Sequence, residues 1–179
     1  VKIEIVDILT ASLGQGLMVK EAMRLKEGGA TFQEVKSFLE ETKWKLNTFI
    51  TVDDLIHLKR GGRISSTAAF LGGLMSLKPL IAINNQGKVD VIQKARGRKS
   101  ALKELAKYII NNIEEPESTT MYIGHCDALE DALKLKEILL EKINLKEVII
   151  DFIGPVVGAY GGPGALAAFY VGKPRYTAS

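Results

Sequence analysis

The amino-acid sequence predicts an α/β domain with a mixed β-sheet, arranged as two layers or as a sandwich. Short apolar runs rich in β-branched residues alternate with longer stretches whose apolar residues recur every three or four positions. The runs 80–83 and 89–92 flank the polar segment from Asn84 to Gly87, a pattern that predicts a hairpin within this alternation. Because a hairpin adds an antiparallel pair to strands that helices connect, we expect the sheet to be mixed.

Two strands and four helices are predicted before the hairpin. The strands span residues 1–8 and 49–52, and the helices span about 17–26, 32–46, 53–58 and 65–77. A capping-box pattern at 31–34 starts the second helix, whose apolar face includes Leu46. Asp53 or Asp54 is the expected cap of the third helix, and Pro79 is expected to end the fourth.

Helices and strands continue to alternate after the hairpin. Helices are predicted at about 100–113 and 127–143, strands at 119–123, 148–152 and 166–171, and a glycine-rich turn at 154–164. Asp127 is the expected cap of the last helix. The first 48 residues look like the tail of a separate α/β domain. We therefore predict a C-terminal remnant of a first domain at 1–48 and a second, mixed-sheet domain at 49–179.

Composition narrows the class of protein. The 179 residues are 46% hydrophobic and 25% charged, values typical of a globular protein with a core. No stretch approaches the roughly 20 apolar residues of a transmembrane helix, and the first residues do not form a secretory signal. The single Cys126 excludes an intramolecular disulfide and fits a reducing cytoplasm, where we expect the protein. Because the chain opens on Val1 rather than Met, we also expect an upstream segment.

Charge is distributed unevenly, although the net charge is only +3. Residues 59–103 contain ten Lys or Arg residues and one acid, whereas residues 104–151 contain eleven acids and five bases. Such a basic stretch predicts an anionic ligand or partner. The candidate residues for docking a partner are Lys59, Arg60, Arg63, Arg96 and Arg98. Aromatic residues do not alternate with these bases, so we do not expect nucleic acid as the partner.

Two glycine-rich segments are candidates for close contact with a ligand. Gly61, Gly62 and Arg63 lie between two predicted helices, where free amides, a helix dipole and a guanidinium suit an anion. The alternative is a plain pair of helix caps with Arg63 in water. The segment 154–164 lacks the lysine of a nucleotide-binding P-loop, and is either backbone that contacts a ligand or a tight structural turn.

The predicted helix from Ser66 to Leu77 carries no charge and contains many small residues. A helix without charge must face apolar groups on most sides. It is therefore either a central core helix or one wall of an acyl-chain tunnel, in which Met75 can adapt to an irregular shape.

Candidates for catalysis are few. His57 and His125 are the only histidines, and Cys126 and Asp127 directly follow the second one. Adjacent side chains on a strand point apart, so these three neighbours resemble a triad only in composition. No spacing typical of a metal site or of a catalytic carboxylate pair is present, so neither is predicted.

Five motifs occur in a specific order along the chain. They are Val-Asp-Asp-Leu-x-x-Leu-Lys-x-Gly-Gly-Arg-Ile-Ser at 52–65, Leu-Lys-Pro-Leu at 77–80, Asn-Gln-Gly at 85–87, Lys-x-Arg at 94–96, and Gly-Pro-Val-Val-Gly to Gly-Pro-Gly at 154–164. This series resembles the DegV family across nearly the whole chain. The segment 6–18 also resembles the stretch that closes the first domain of that family.

The resemblance implies a two-domain protein that buries a fatty acid between its domains and has no other cofactor. Members with a known role hand the acid to a fatty-acid kinase for phospholipid synthesis, so a carrier rather than an enzyme is expected. A ligand of roughly C16 to C18 would bury many methylenes, each worth about 0.8 kcal/mol. The implied lipid-binding positions are Arg63, Ile64, Phe70, Leu71, Leu74, Pro79, Tyr160, Gly161, Gly162 and Gly164.

The chain departs from the family pattern in three places. The hydroxyl-rich N-terminal motifs that bind the carboxylate in the family have no counterpart here, so this chain alone should bind fatty acid poorly. Tyr160 stands where many members have histidine, and a phenol donates a hydrogen bond but carries no positive charge. Ile8 stands where the family has a serine after the aspartate.

The main alternative is a phosphate- or nucleotide-handling enzyme that uses Arg63 and the segment 154–164. A fatty acid that co-purifies with the intact protein would favour the carrier, and a bound nucleotide would favour the enzyme.

Overall fold

The computed structural model describes residues 1–53, 55–63 and 77–177 of the chain. Within these ranges, helices flank a six-stranded sheet. The strands are β1 (Leu46–Thr51), β2 (Leu77–Ile83), β3 (Val89–Arg96), β4 (Thr120–His125), β5 (Glu147–Phe152) and β6 (Leu166–Val171). The helices are α1 (Leu13–Glu27), α2 (Phe32–Thr42), α3 (Ile56–Arg60), α4 (Arg98–Asn112), α5 (Leu129–Leu140) and α6 (Pro155–Gly161).

The sheet has the strand order β3-β2-β1-β6-β4-β5. Strands β4 and β5 are parallel and are connected through α5, whereas the other neighbouring strands pair antiparallel. The predicted α/β fold with a mixed sheet is therefore confirmed.

The predicted hairpin is confirmed by the pairing of β2 with β3. The side-chain oxygen of Asn84 accepts hydrogen bonds from the backbone N–H groups of Gln86 at 2.8 Å and Lys88 at 3.0 Å. Gly87 has a φ of 73°, a left-handed conformation that glycine adopts without a Cβ clash. The polar segment therefore turns the chain by hydrogen-bonding its own backbone.

The main hydrophobic core lies between one face of the sheet and the helices α4 and α5. Phe49 of β1, Leu80 of β2 and Tyr170 of β6 are buried there with Leu105 of α4. The rings of Phe49 and Tyr170 lie 6.4 Å apart, and the Tyr170 hydroxyl donates to the Ile109 carbonyl at 3.3 Å. Burial of each large side chain stabilises the fold by about 1.5–3 kcal/mol, so this layer is the main source of stability.

The opposite face of the sheet is covered only in part. Alternation along β1 turns Leu46, Thr48 and Ile50 to this face, and α1 packs against β4 and β6 there. Leu17 and Met18 of α1 form a small core with Leu46. Helices α3 and α6 pack on each other farther along, and a concave region remains between them and α1.

The N-terminal elements differ from the prediction. Residues 1–8 form no strand, because no segment in the described part of the chain pairs with their backbone. Their alternating pattern leaves Val1, Ile3 and Ile5 exposed. The capping box at 31–34 is confirmed, since the Thr31 hydroxyl accepts the backbone N–H of residue 34 at 3.3 Å and that glutamate accepts the N–H of Thr31 at 2.7 Å.

Two predicted helix ends are wrong. Helix α2 ends at Thr42, so Leu46 lies buried in β1 instead of on a helix. The predicted helix at 65–77 cannot extend to Leu77, which begins β2, and most of that segment lies outside the described residues. Pro79 lies within β2, where pairing with β1 begins only at Leu80, so its missing N–H leaves no gap on that side.

The predicted Asp127 cap of α5 is wrong, and Asp53 does not cap α3, because the N-cap residues are Ala128 and Leu55 and neither makes a side-chain cap hydrogen bond. The Asp53 carboxylate instead pairs with Lys78 Nζ at 3.0 Å, and position 54 lies outside the described residues. Asp127 has a φ of 50°, and it is Nδ1 of His125 that accepts the N–H of Ala128, at 3.3 Å.

The predicted glycine-rich turn at 154–164 contains a helix. Pro155 starts α6, where a missing N–H costs no helical hydrogen bond. The N–H of Gly158 donates to Gly154 and that of Gly162 donates to Gly158, both at 2.8 Å. These amides are therefore bound within the helix, and the segment does not present a continuous row of free N–H groups.

The predicted domain boundary at residues 48 and 49 falls inside β1. Helix α1, from the predicted first unit, contacts β4 and β6 of the second. The division into two domains stays a prediction.

None of the described helices has the length and apolar composition needed to cross a bilayer. The longest, α1 and α4, have 15 residues each, short of the roughly 20 that a span requires.

Candidate functional site

A cavity of about 550 Å³ lies on the partly covered face of the sheet. Its floor is formed by side chains of four strands and by the residues next to them, namely Thr48, Ile50, Val52, Ile81, Ile83, Val89, Ala165, Ala167 and Phe169. The alanines at 165 and 167 leave room that larger side chains would fill. The volume lies within the roughly 300–1,000 Å³ of small-molecule sites.

The wall of the cavity comes from segments outside the sheet. Asp7 and residues 9–12 form one side, Leu58 of α3 forms another, and Val156, Val157 and Tyr160 of α6 form a third. Helices α3 and α6 approach closely because residue 61 is glycine, since a Cβ at Gly61 would overlap the Tyr160 ring. Floor and wall are therefore mostly apolar.

Arg63 and Tyr160 form a polar rim at one end of the cavity. The Arg63 guanidinium lies 4.1 Å from the centroid of the Tyr160 ring, and its Nη1 donates to the Gly61 carbonyl at 2.8 Å. Among the described lining residues, Arg63 is the only cation, and Asp7 is the only carboxylate. The rim can therefore offer a guanidinium and a phenol to an anionic group.

A second polar group, distinct from the rim, consists of the hydroxyls of Thr10, Ser12 and Thr48. The Oγ1 atoms of Thr10 and Thr48 lie 3.1 Å apart, and either can be the donor. The Ser12 Oγ is buried and has no hydrogen-bond partner in the described part of the chain. A buried polar atom without a partner is rare in folded proteins, so these hydroxyls are a distinctive feature of the cavity.

Cys126 also lines the cavity, whereas its neighbour His125 does not. Burial raises the pKa of the Cys126 thiol, so the thiol is protonated at neutral pH and is a poor nucleophile. His125 is buried with its ring 4.6 Å from that of Phe152. The two side chains face different surroundings, and they do not form a catalytic pair.

The predicted lipid-binding residues fall into three groups. Arg63, Tyr160 and Gly161 line the cavity. Pro79, Gly162 and Gly164 do not line it. The remaining predicted residues, Ile64, Phe70, Leu71 and Leu74, lie outside the described part of the chain.

Gly164 has a structural reason to be glycine. It has a φ of 79°, and a Cβ there would overlap the Asp53 carboxylate. Its carbonyl accepts a hydrogen bond from Arg98 at 2.7 Å. The contact joins the end of the α6 segment to α4, which fixes the position of the rim.

The predicted docking residues differ in exposure. Lys59, Arg60, Arg63 and Arg96 are exposed and can contact a partner. Arg98 is largely enclosed, and its Nε donates to Asp131 at 2.8 Å. Its role in docking stays a prediction, and its observed contacts are internal.

Sequence reasoning missed most of the cavity floor and the three hydroxyls. Alternation in 48–52 identifies Thr48, Ile50 and Val52 as one face of a strand. It does not show which face helices cover, so no local signal marked these residues as lining a cavity.

Fold and site together define an α/β domain that has an apolar ligand cavity on one face of a mixed sheet. The family model for DegV, described as a family of uncharacterised proteins, matches residues 1–173, and the chain belongs to this family. A DegV domain-containing protein of Clostridium perfringens is 46% identical over 173 residues, which cover 97% of this chain and 60% of that protein.

Solved structures of DegV proteins share the fold. A fatty acid binding DegV family protein from Streptococcus agalactiae matches with a TM-score of 0.84 and 31% identity, over 96% of this chain and 60% of that one. A DegV family protein from Thermus thermophilus, also described as binding fatty acid, matches with a TM-score of 0.87 and 31% identity, over 96% and 61%. The chain thus spans about 60% of the length of these relatives.

Proposed function

We propose that the intact protein binds a long-chain fatty acid in this cavity and presents it to a fatty-acid kinase, without catalysing a reaction itself. The observation that carries the proposal is the apolar cavity of about 550 Å³ with Arg63 and Tyr160 at its rim. The description of two relatives at 31% identity as fatty-acid-binding supports it.

An acyl chain suits the apolar floor for energetic reasons. Removing a methylene from water is worth about 0.8 kcal/mol, so burying ten of them supplies about 8 kcal/mol before ordering costs. That gross free energy would correspond to a Kd of about 1 μM, and the ordering costs make the net affinity weaker than this. A ligand of roughly C16 to C18 has enough methylenes to bury ten and still leave its head at the rim.

The carboxylate is placed at the rim because Arg63 supplies the one positive charge among the described lining residues. The Tyr160 phenol adds a neutral hydrogen-bond donor beside it. Arg63 is exposed, so a carboxylate bound there stays within reach of a partner.

A carrier needs no general base and no nucleophile. The ionisable side chains among the described lining residues are Asp7, Arg63, Cys126 and Tyr160. Because burial raises the pKa of the Cys126 thiol, the thiol is not activated for attack. These features support binding and presentation of the acid rather than catalysis.

The exposed bases Lys59, Arg60, Arg63 and Arg96 form the basic face that we propose for kinase docking. An acidic surface on the kinase would be attracted to this face, and the acyl phosphate would then enter phospholipid synthesis. The single thiol, Cys126, suits the reducing cytoplasm in which we place the protein.

Native mass spectrometry of the gently purified intact protein tests the proposal. We expect a co-purifying fatty acid of roughly C16 to C18, because burial of about ten methylenes supports slow release. Arg63→Gln should weaken palmitate binding roughly three- to tenfold through loss of a charge-assisted hydrogen bond. Arg24→Gln is the matched control, since Arg24 pairs with Glu21 on α1 and does not line the cavity. A bound nucleotide, or a protein that stays empty when offered palmitate, would refute the proposal.

Kinase docking is tested separately with Lys59→Gln and Arg60→Gln together. The double variant should bind palmitate normally, because neither residue lines the cavity, but should support slower acyl-phosphate formation by a fatty-acid kinase. An unchanged rate at low salt would remove the basic face from the proposal.

A further inference from the structure

We infer that the hydroxyl pair formed by Thr10 and Thr48 selects long-chain fatty acids that carry a hydroxyl group near the middle of the chain. The inference rests on the proposed function, since it assigns a subclass of ligand to the same cavity.

The hydroxyl pair has one hydrogen left over after its internal hydrogen bond. Thr48 is only 3% exposed and lies among apolar floor residues, with its Oγ1 3.1 Å from that of Thr10. When one hydroxyl donates to the other, the accepting hydroxyl still has its own hydrogen to donate. The buried Oγ of Ser12, another lining residue, likewise has no partner in the described ranges. A plain alkyl chain would leave these donors unmatched, which is unfavourable.

The backbone holds Thr10 in place against local strain. Leu9 and Ser12, on either side of it, have φ values of 53° and 57°, which non-glycine residues seldom adopt. Nη1 of the buried Arg175 donates to the Leu9 carbonyl at 2.6 Å, and Nη2 donates to that of Ile8 at 3.0 Å. Strain maintained by such contacts is common at ligand sites, and here it occurs on both sides of a cavity-lining hydroxyl residue.

The distance between rim and hydroxyl pair sets the position on the ligand. Tyr160 packs in a cluster with Ala165 at one end of the floor, and Thr48 is opposite Phe169 in the β1–β6 ladder. Ala165 directly precedes β6, and four residue steps, or about 13 Å, separate it from Phe169. An extended alkyl chain advances about 1.25 Å per carbon, given C–C bonds of about 1.5 Å. A chain with its carboxylate at the rim therefore reaches the hydroxyl pair after roughly ten carbons.

The hydroxyl pair suits a neutral group better than a carboxylate. Asp7 lines this end of the cavity, and its Oδ1 accepts the N–H of Leu9, next to Thr10, at 2.9 Å. A ligand carboxylate would be repelled by Asp7, whereas Arg63 attracts it at the rim. A ligand hydroxyl can both donate and accept, so it matches either arrangement of the pair.

The test compares the affinities of the intact protein for stearate and 10-hydroxystearate. The protein should bind the hydroxy acid more tightly than stearate. Thr48→Val should lower this preference about tenfold, the cost of one lost hydrogen bond, so the measured quantity is the ratio of the two dissociation constants. Thr51→Val is the matched control, because Thr51 is a fully buried threonine of the same strand that does not line the cavity.

A second ligand, 2-hydroxystearate, tests whether the position of the hydroxyl group on the acyl chain matters, or only the added polarity. The ratio between stearate and 2-hydroxystearate should be the same in the protein and in Thr48→Val, because that hydroxyl lies beside the carboxylate. If the protein binds stearate but Thr48→Val leaves the preference for 10-hydroxystearate unchanged, the inference is overturned and the proposed function stands. If neither acid binds, both fail.

Discussion

Replacing Ala167 with leucine should block the ligand while leaving the fold intact. Ala167 is 2% exposed and lies on the cavity floor, opposite Ile50 in the β1–β6 ladder. Leucine adds three carbon atoms, which take the place of about three ligand methylenes. At about 0.8 kcal/mol for each methylene, the binding free energy falls by about 2.4 kcal/mol, or roughly 50-fold in Kd. Calorimetric titration with palmitate measures the change.

The neighbouring Ala168 provides the control. It is fully buried on the opposite face of β6, in the core beneath α4 and α5. Ala168→Leu should therefore overpack that core and lower the free energy of unfolding by about 1–3 kcal/mol, while the folded fraction binds palmitate normally. Urea unfolding of both variants measures this difference. The reasoning fails if Ala167→Leu binds palmitate like the unmodified protein, or if it loses as much stability as Ala168→Leu.

Three further results are expected. Arg98→Met should lower the free energy of unfolding by about 1–3 kcal/mol, because it removes the guanidinium that lies 2.8 Å from the half-buried Asp131 carboxylate. Urea unfolding measures this loss, and an unchanged free energy of unfolding would show that the contact is unimportant. Because burial raises the pKa of the Cys126 thiol, this thiol should react slowly with iodoacetamide at neutral pH. Its reaction should become faster only above the usual thiol pKa of about 8.5, and rapid labelling at pH 7 would contradict this. Burial also raises the pKa of Tyr170 above its unfolded value near 10. The contribution of the buried phenol to the free energy of unfolding is therefore fully present below about pH 10. It is lost at higher pH, because the unfolded chain releases the phenol proton first. Alkaline urea titrations should show less of this decline for Tyr170→Phe.

Elements with signals confined to a few residues could be predicted from the sequence. The capping box at 31–34, the hairpin turn at 84–87 and the strand at 166–171 all lie where the pattern indicated. In each case neighbouring side chains supply the hydrogen bonds or the alternation that determine the structure.

Elements that depend on distant partners could not be predicted. Residues 1–8 have a strand-like alternation, but a strand also needs a neighbour, and the described part of the chain supplies none. Leu46 continues the helical spacing of α2, yet its burial against Leu17 and Met18 favours the strand. Asp127 has the residue type of a helix cap, but the cap position is Ala128, whose N–H donates to the ring of His125.

The residues of the candidate site also divide into those that the local sequence marks and those that only the fold brings together. Arg63 and Tyr160 were identified because they belong to motifs that resemble those of the family. Thr10 and Thr48 are 38 positions apart in the chain and meet only after β1 enters the sheet. Arg98 stands in a basic run, and only the tertiary contacts with Asp131 show that its charge is used internally.

Alternate residues of strand β6 face the main core and the cavity. Its residues Leu166, Ala168 and Tyr170 are buried in the main core, whereas Ala167 and Phe169 face the cavity. Because the covered face supplies most of the buried apolar surface, the fold does not require a filled cavity, and small side chains are tolerated there. A ligand in that cavity binds the native state alone and adds RT ln(1 + [L]/Kd) to its stability, about 2.7 kcal/mol at a hundredfold excess over Kd. Substitutions that face the cavity should therefore change mainly ligand affinity, and substitutions that face the core should change mainly the free energy of unfolding.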